Sequence, residues 1–333
     1  MRTPVLLSLT FLMLAGCSDS GSQPAFDPSV FNGRWDITVP SSARKRAWWL
    51  EVRDAETPNP TGLMVGPPGG GMYAPDTMKV EGEELVYTFK RKYGIPGEKT
   101  PWDKRPMRTA VYHVRVQGDK LTGWMEIEGH PETRVEFFGE RAPEITDKDD
   151  GTWVETEPVE LFNGKDLTGW HGMIPDRELG WEVKDGILTN NPPANNLVSD
   201  KKFWNFKLHA EYRLVKGSNS GIGLRGRYEV QIIDDYGKPP TKQGHGAIYY
   251  RIVPSENASL PPGKWQTMDV TLIGRDVTVV LNGKKIIDRA VIEGLTAMAH
   301  DPHEGEPGPI SIQGDHRKIE IRKLTVTPLV KKQ

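Results

Sequence analysis

The sequence predicts an all-β protein in two parts, a C-terminal two-sheet sandwich preceded by a smaller antiparallel β-barrel or sandwich domain. Three observations carry this. Short alternating runs of apolar and polar residues recur along the 333 residues without a sustained helical period. The composition, with 35 Gly, 27 Pro, 36% hydrophobic and 26% charged residues, suits a turn-rich strand protein better than a helical one. The alternation lapses over residues 142–157, which are rich in Asp, Glu, Pro and Lys and poor in apolar side chains, as an interdomain linker would be. A formal net charge of −2 offers no basic field for phosphates, so nucleic acid is excluded as a partner.

At the N-terminus, Arg2 precedes an apolar run, 5–15, that is too short to span a bilayer core of ~30 Å and has the layout of a secretion signal. The run ends at Leu14-Ala15-Gly16-Cys17, which resembles the lipobox of bacterial lipoproteins, whose cysteine is lipidated and becomes the mature N-terminus. Cys17 is the only cysteine, so neither an internal disulfide nor a cysteine zinc site is expected. The resemblance implies a signal peptide over 1–17, a flexible tether over 18–30 and, with Ser18 in place of a retention Asp, a lipid anchor in the outer membrane facing the periplasm or the cell surface.

In the first domain, 31–141, strands are expected near 33–39, 47–52, 78–80, 84–90, 109–116, 120–127 and 134–139, with hairpin turns at Glu81-Gly82 and Gln117-Gly118-Asp119. Such a series predicts an antiparallel meander closing as a barrel or sandwich, and its opening Gly33-x-Trp35 resembles the first strand of lipocalin-like barrels. Stretches 57–75 and 92–106, loaded with Gly and Pro, read as long irregular loops. The Gly-Pro run at 66–71 lacks the Lys-Ser/Thr of a phosphate loop, which leaves a lid or a contact to the second domain. Tyr73 and Trp102 could stack on a sugar ring, although such aromatics more often anchor their own loop.

The second domain, 158–330, carries the chemistry. Asp185-Gly186 and Asn282-Gly283 sit between apolar flanks as hairpin turns whose residues tolerate positive φ. Runs 206–214, 221–224, 228–233, 265–273, 276–281 and 319–326 are strand-like and support a sandwich. With period two, Tyr228, Val230 and Ile232 face one way, while Glu229, Gln231 and Ile233 face the other. A bulge beyond Ile233 would return Asp234 to the Glu229 face. Glu211, Arg213, Asn219, Arg225, Glu229, Gln231 and Asp234 lie within twenty-five residues, 211–235, more than a solvated face requires. Loops at 243–250 and 297–309 carry His245, His300 and His303. The group His300-Asp301-Pro302-His303-Glu304 has metal donors, but Pro302 denies it the helix of a zinc motif.

The ordered motifs LFNGKDLTGW, WEVKDGIL, FKLHAEYRL, GSNSGIGLR, YEVQIIDD, GKWQTMDVTLIG, VVLNGKKI and GPISIQ, spread over 159–329, resemble the bacterial 3-keto-disaccharide hydrolase domain. The resemblance implies a two-sheet jelly roll similar to concanavalin A-like lectins and glucanases, with the first and last strands, near 159–162 and 319–327, side by side. This chain departs from the family's Gln-(x)-His-Gly in reading Gln313-Gly314-Asp315-His316-Arg317.

The implied reaction starts from a ketone at C3, which acidifies the hydrogen at C2. A base removes that hydrogen, the glycosidic oxygen leaves C1, and water adds to the enone. The chemistry asks for a base, a cation at the enolate oxygen and a proton donor for the leaving group. The candidates are Glu229 or Glu211 as base, Arg213 or Arg225 as cation, and Asp234 or His316 as donor. Asn219 and Gln231 would hold hydroxyls, and Trp204 would stack on a ring. A divalent metal in the arginine's place stays open, and no other cofactor is expected. The substrate would be an oligosaccharide or 3-keto-glycoside, its ketone made by a sugar 3-oxidoreductase upstream. Two other readings compete. The same fold serves lectins, and Glu229-x-Gln231-x-x-Asp234 resembles a weakened Glu-x-Asp-x-x-Glu strand of laminarinase-type glycosidases, which need two carboxyl groups ~5.5 Å apart.

Overall fold

A computed structural model describes residues 26–42, 46–67 and 70–332, and among them every extended element is a β-strand, with two short 3₁₀ turns. The expected signal peptide, Cys17 and most of the tether lie outside the described residues.

The first domain is one antiparallel sheet of nine strands: β1 (Gly33–Thr38), β2 (Trp48–Arg53), β3 (Thr61–Val65), β4 (Met72–Tyr73), β5 (Thr77–Glu81), β6 (Glu84–Lys92), β7 (Met107–Gln117), β8 (Lys120–Ile127) and β9 (His130–Arg141). Their spatial order, β4-β3-β2-β1-β9-β8-β7-β6-β5, is a meander whose first and last strands pair and whose ring is open between β4 and β5. The inner face buries Trp35, Ile37, Leu50, Tyr87, Tyr112 and Phe137 as one core. Two short strands, β3 and β4, fall inside the stretch 57–75 that reads as an irregular loop. Its Gly and Pro content hides Leu63, Met64 and Val65, which continue the pairing from β2.

The second domain is a two-sheet sandwich of jelly-roll type. Its back sheet runs β13 (Trp181–Lys184), β14 (Ile187–Asn190), β23 (Ile319–Lys331), β16 (Phe206–Leu214), β19 (Trp265–Ile273), β20 (Asp276–Leu281) and β21 (Lys284–Val291), with β10 (Trp153–Glu155) and β11 (Val159–Glu160) also pairing with β23. The first and last strands therefore meet, with Val159 opposite Val326. The front sheet runs β12 (Trp170–Gly172), β15 (Leu197–Phe203), β22 (Gly308–Ile312), β17 (Asn219–Leu224) and β18 (Tyr228–Ile233). Leu197, Ile222, Val230 and Ile312 from the front meet Leu208, Tyr212, Met268 and Leu324 from the back in a single core. Both expected hairpin turns form, with φ of 52° and 75° at Asp185-Gly186 and 50° and 80° at Asn282-Gly283.

Residues 142–157 do not stand free as a solvated linker. The Asp147 carboxylate accepts from Trp204 Nε1 and Asn205 Nδ2, both at 2.8 Å, the Asp276 side chain accepts from the Asp149 N–H at 2.9 Å, and residues 153–155 extend the back sheet as β10. Low apolar content signals exposure only where no polar partners await, and here the sandwich provides them.

The outer face of β1–β3 packs on the second domain. Ala47, Trp49 and Val65 form an apolar cluster with Leu295 and Ala299, and Tyr73 and Tyr250 join their hydroxyls at 3.1 Å. The main chain of Gly70 lies against Ala297, so the Gly-Pro run contacts the second domain. Asp36 on β1 is buried beside Glu304, which accepts from Tyr228 Oη at 2.6 Å and pairs with Arg275 at 3.2 Å. Burial, followed by the Glu304 charge, pushes the Asp36 carboxyl well above its usual range, so Asp36 is protonated in the fold at neutral pH. A raised carboxyl binds its proton more tightly folded than unfolded, so stability falls as pH rises from the unfolded value of 3.8 toward the folded one. Melting curves from pH 6 to 9 should show a shallower alkaline loss in Asp36→Asn than in wild type; equal slopes would show that Asp36 does not carry this proton.

Candidate active site

The front sheet's outer face is laid out by register. A continuous row runs His171, Val198, Ser311, Gly223, Glu229 across β12, β15, β22, β17 and β18. Beside it, Gly221 on β17 is opposite Gln231, and its carbonyl accepts from the Gln313 N–H at 2.9 Å. Because Ile222, Val230 and Ile312 turn inward to the core, period two sends Glu229, Gln231 and Ser311 outward. Glu229 and Gln231 thus stand on one side, Ser311 and Gln313 on the other, and two glycines form the floor between them. With strands ~4.8 Å apart, β18 and β22 are about 10 Å apart across β17. The glycines are required: a Cβ at Gly221 would lie 2.6 Å from Glu229 Oε1, and one at Gly223 would strike Ser311 Oγ.

This face is covered. Glu229 is 3% exposed and Ser311 0%. Segment 292–301 lies over the Glu229 end, where Thr296 Oγ1 accepts the Glu229 N–H at 2.9 Å, and Met298 Cε would be 3.4 Å from a Cβ at Gly223. Tyr249 N–H donates to the Glu229 carbonyl at 3.0 Å. Burial raises the Glu229 carboxyl to about 7, opposed by its neighbours Arg46 and His316 and reinforced by the Asp315 carboxylate. Ser311 Oγ, Gln231 Oε1 and Gln313 Oε1 are buried without hydrogen-bond partners among the described residues. Buried polar atoms are nearly always satisfied, so three orphans around one glycine floor mark a surface shaped for a polar ligand.

The structure brings together part of the set read from sequence. Glu229, Gln231 and Asn219 share the face, with Gln231 Nε2 donating to Asn219 Oδ1 at 3.4 Å. A shallow depression of about 510 Å³ next to them is lined by Asn219, Asp234, Asp315, His316 and Arg317. His316 Nδ1 meets Asp315 Oδ1 at 2.7 Å there. Asp234 reaches this rim without a bulge, because the β17–β18 register is unbroken and Asp234 lies past the strand end, accepting Gly217 N–H at 2.7 Å.

Four candidates lie elsewhere. Glu211 and Arg213 alternate with core residues Ala210 and Tyr212 on β16, so they project from the outer face of the back sheet, on the opposite side of the sandwich from Glu229. Glu211 accepts from Arg322 Nε at 2.6 Å, and Arg213 pairs with Glu320. Arg225 sits in the β17–β18 turn at φ 54°, fully buried, donating to the carbonyls of Trp204 and Gly274 at 2.6 and 2.8 Å. Its guanidinium lies 4.0 Å over the half-buried Trp204 ring, whose Nε1 donates to Asp147, so Arg225 and Asp147 hold Trp204 away from Glu229.

The histidine loops are also tied down. His245 Nε2 accepts from Tyr212 Oη at 2.6 Å in the core while its Nδ1 donates to the Ile233 carbonyl at 2.8 Å, Asp301 binds Arg227 at 3.1 Å and Glu304 binds Arg275, so the 300–304 group does not converge. Among the described residues no three His, Cys, Asp or Glu side chains gather as a metal site.

Ser311 and Gln313 were the missed members. The signal was present in GPISIQ, where Ile310 and Ile312 at core positions require Ser311 and Gln313 to face outward.

Fold and site together define a jelly-roll sandwich with a buried carboxyl over a glycine floor on its front sheet. The model of the 3-keto-alpha-glucoside-1,2-lyase-like domain matches residues 157–327, just over half of the chain, and the chain belongs to that family. A 3-keto-disaccharide hydrolase from Bacteroides thetaiotaomicron is 25% identical over 167 residues, 39% of this chain. The aligned part spans 57% of that relative's length. Among solved structures, a proposed glycosyl hydrolase from Parabacteroides distasonis is 27% identical with a TM-score of 0.45, covering 56% of this chain and 91% of the other. SCLam, a non-specific endo-β-1,3(4)-glucanase, is 13% identical with a TM-score of 0.36, covering 58% and 95%.

Proposed function

We propose that the second domain cleaves the glycosidic bond of 3-keto-glycosides by elimination across C1–C2 followed by hydration, with Glu229 as the base. The observation that carries this is the Glu229 carboxyl, raised to about 7 over a floor walled by unpartnered amide and hydroxyl groups. A base near neutrality suits removal of a hydrogen beside a ketone. A retaining glycosidase would need a second carboxyl ~5.5 Å away as nucleophile, and the next outward position on β18 is the amide Gln231. Ser311, Gln231, Gln313 and Asn219 hold sugar hydroxyls, and His316, oriented by Asp315, protonates the leaving oxygen. The likeness to the 3-keto-disaccharide hydrolase of Bacteroides thetaiotaomicron supports the substrate class.

The purified protein, with and without chelator, should release sugar from 3-keto-disaccharides and leave the unmodified disaccharides intact. Its rate should climb as pH rises through about 7, where Glu229 ionises. Cleavage of unmodified sugars would make it a conventional glycosidase, and binding without release would make it a lectin.

The lipid anchor belongs to the same proposal, since an exported enzyme would meet glycans in the periplasm or at the cell surface. One acyl chain holds a protein only marginally, so two or three are expected on Cys17. Cys17→Ser should leave the outer-membrane fraction, and a variant that still sediments with it would overturn the anchor.

A further inference from the structure

We infer that the site is composite, and that Arg46 of the first domain completes it as the residue that positions and tunes Glu229. The inference rests on the reading of Glu229 as the base. Arg46 stands just before β2, where Ala47 N–H donates to Ala299 O at 2.8 Å and fixes the main chain against the second domain. Its Nη1 donates to the Ala297 carbonyl, in the segment that covers Glu229, and its Nη2 lies 3.9 Å from Asp315 Oδ2. The guanidinium therefore ties two walls of the site together: the 292–301 cover and the turn that carries Gln313, Asp315 and His316. A planar fork is suited to such a bridge, and its charge is permanent. Arg213 and Arg225, the cations read from sequence, are committed elsewhere.

The charged and titratable groups that face Glu229 are Arg46 from the first domain, Asp315 and His316 from the turn after β22, and Tyr249 from the loop along β18. Arg46 is the foremost of these in favouring the carboxylate against the cost of burial. Without it, the base would ionise only at higher pH. The first domain thereby acquires a role in catalysis that the sandwich alone would lack.

The test uses full-length Arg46→Gln and Arg46→Lys. Carbon-13 NMR of carboxyl-labelled glutamate, with Glu229 assigned by its loss in Glu229→Gln, gives the titration midpoint without any substrate. The midpoint should move to higher pH in Arg46→Gln and stay near wild type in Arg46→Lys. Cleavage of a 3-keto-disaccharide at pH 7 should fall about tenfold or more in Arg46→Gln and recover toward wild type as pH is raised. An unmoved midpoint, or a loss of rate equal at every pH, would overturn the inference. If Arg46→Gln does not fold, Arg46→Met, which keeps the aliphatic stem and removes the charge, decides: a midpoint moved to higher pH supports the charge role, and an unmoved one contradicts it. A shifted midpoint in a protein inert toward 3-keto sugars would sink the proposed activity and leave the Arg46–Glu229 coupling standing.

Discussion

Glu229→Gln is expected to lower turnover of a 3-keto-glycoside by about 10² to 10⁴ while the protein folds and binds sugar normally. The amide keeps the size and the hydrogen-bonding reach of the carboxylate, and the core contacts of β18 come from Tyr228, Val230 and Ile232 on its other face. The variant should also be at least as stable as wild type at pH 8. The wild-type carboxyl is raised from 4.5 to about 7, so the fold holds a proton that the unfolded chain has lost, and stability declines as pH rises between those values. The full decline is on the order of 3 kcal/mol, complete above the folded value, and Glu229→Gln should abolish it. Kinetics with thermal melts at pH 5 and pH 8 check both parts. A variant that loses activity only because it unfolds would return Glu229 to a structural role.

Gly223→Ala should be the second most damaging change, through sterics alone. The new Cβ would strike Ser311 Oγ and approach Met298 Cε at 3.4 Å, so either Ser311 or the cover must shift. Overpacking of this kind costs typically about 1–3 kcal/mol, and displacement of a reacting group by ~1 Å costs about 10² in rate. We expect a lower melting temperature and a fall of about a hundredfold in kcat/KM, with pH dependence unchanged because Glu229 keeps its charged neighbours. Wild-type activity would mean that the sugar does not lie on this floor.

Much of the fold was legible because strand alternation and turn chemistry are local. Residues 228–233, 206–214 and 276–281 are strands with the same bounds read from the sequence, and Asp185-Gly186 and Asn282-Gly283 turn the chain where they should. The site was legible where it depends on one strand: Glu229 and Gln231 share a face because they are two residues apart. It failed where it depends on which sheet a strand joins. Glu211 is eighteen positions from Glu229, yet β16 lies in the back sheet and β18 in the front, so their polar sides point away from each other. Alternation alone would place Arg225 on the Gly223 face, but the left-handed turn at φ 54° withdraws it from the strand and buries it against Trp204 and Gly274. Arg46 could not be found at all, since its approach to Asp315 joins residues 269 positions apart through an interdomain contact that no local pattern encodes.

Hydrogen exchange at C2 tests the central claim most directly. In deuterated water, wild-type protein with a 3-keto-glycoside should place deuterium at C2 of the sugar, visible by NMR, and Glu229→Gln should lose exchange and cleavage together. Exchange that persists in Glu229→Gln while cleavage disappears would contradict the account, because the base would then be another group and Glu229 would serve the leaving oxygen.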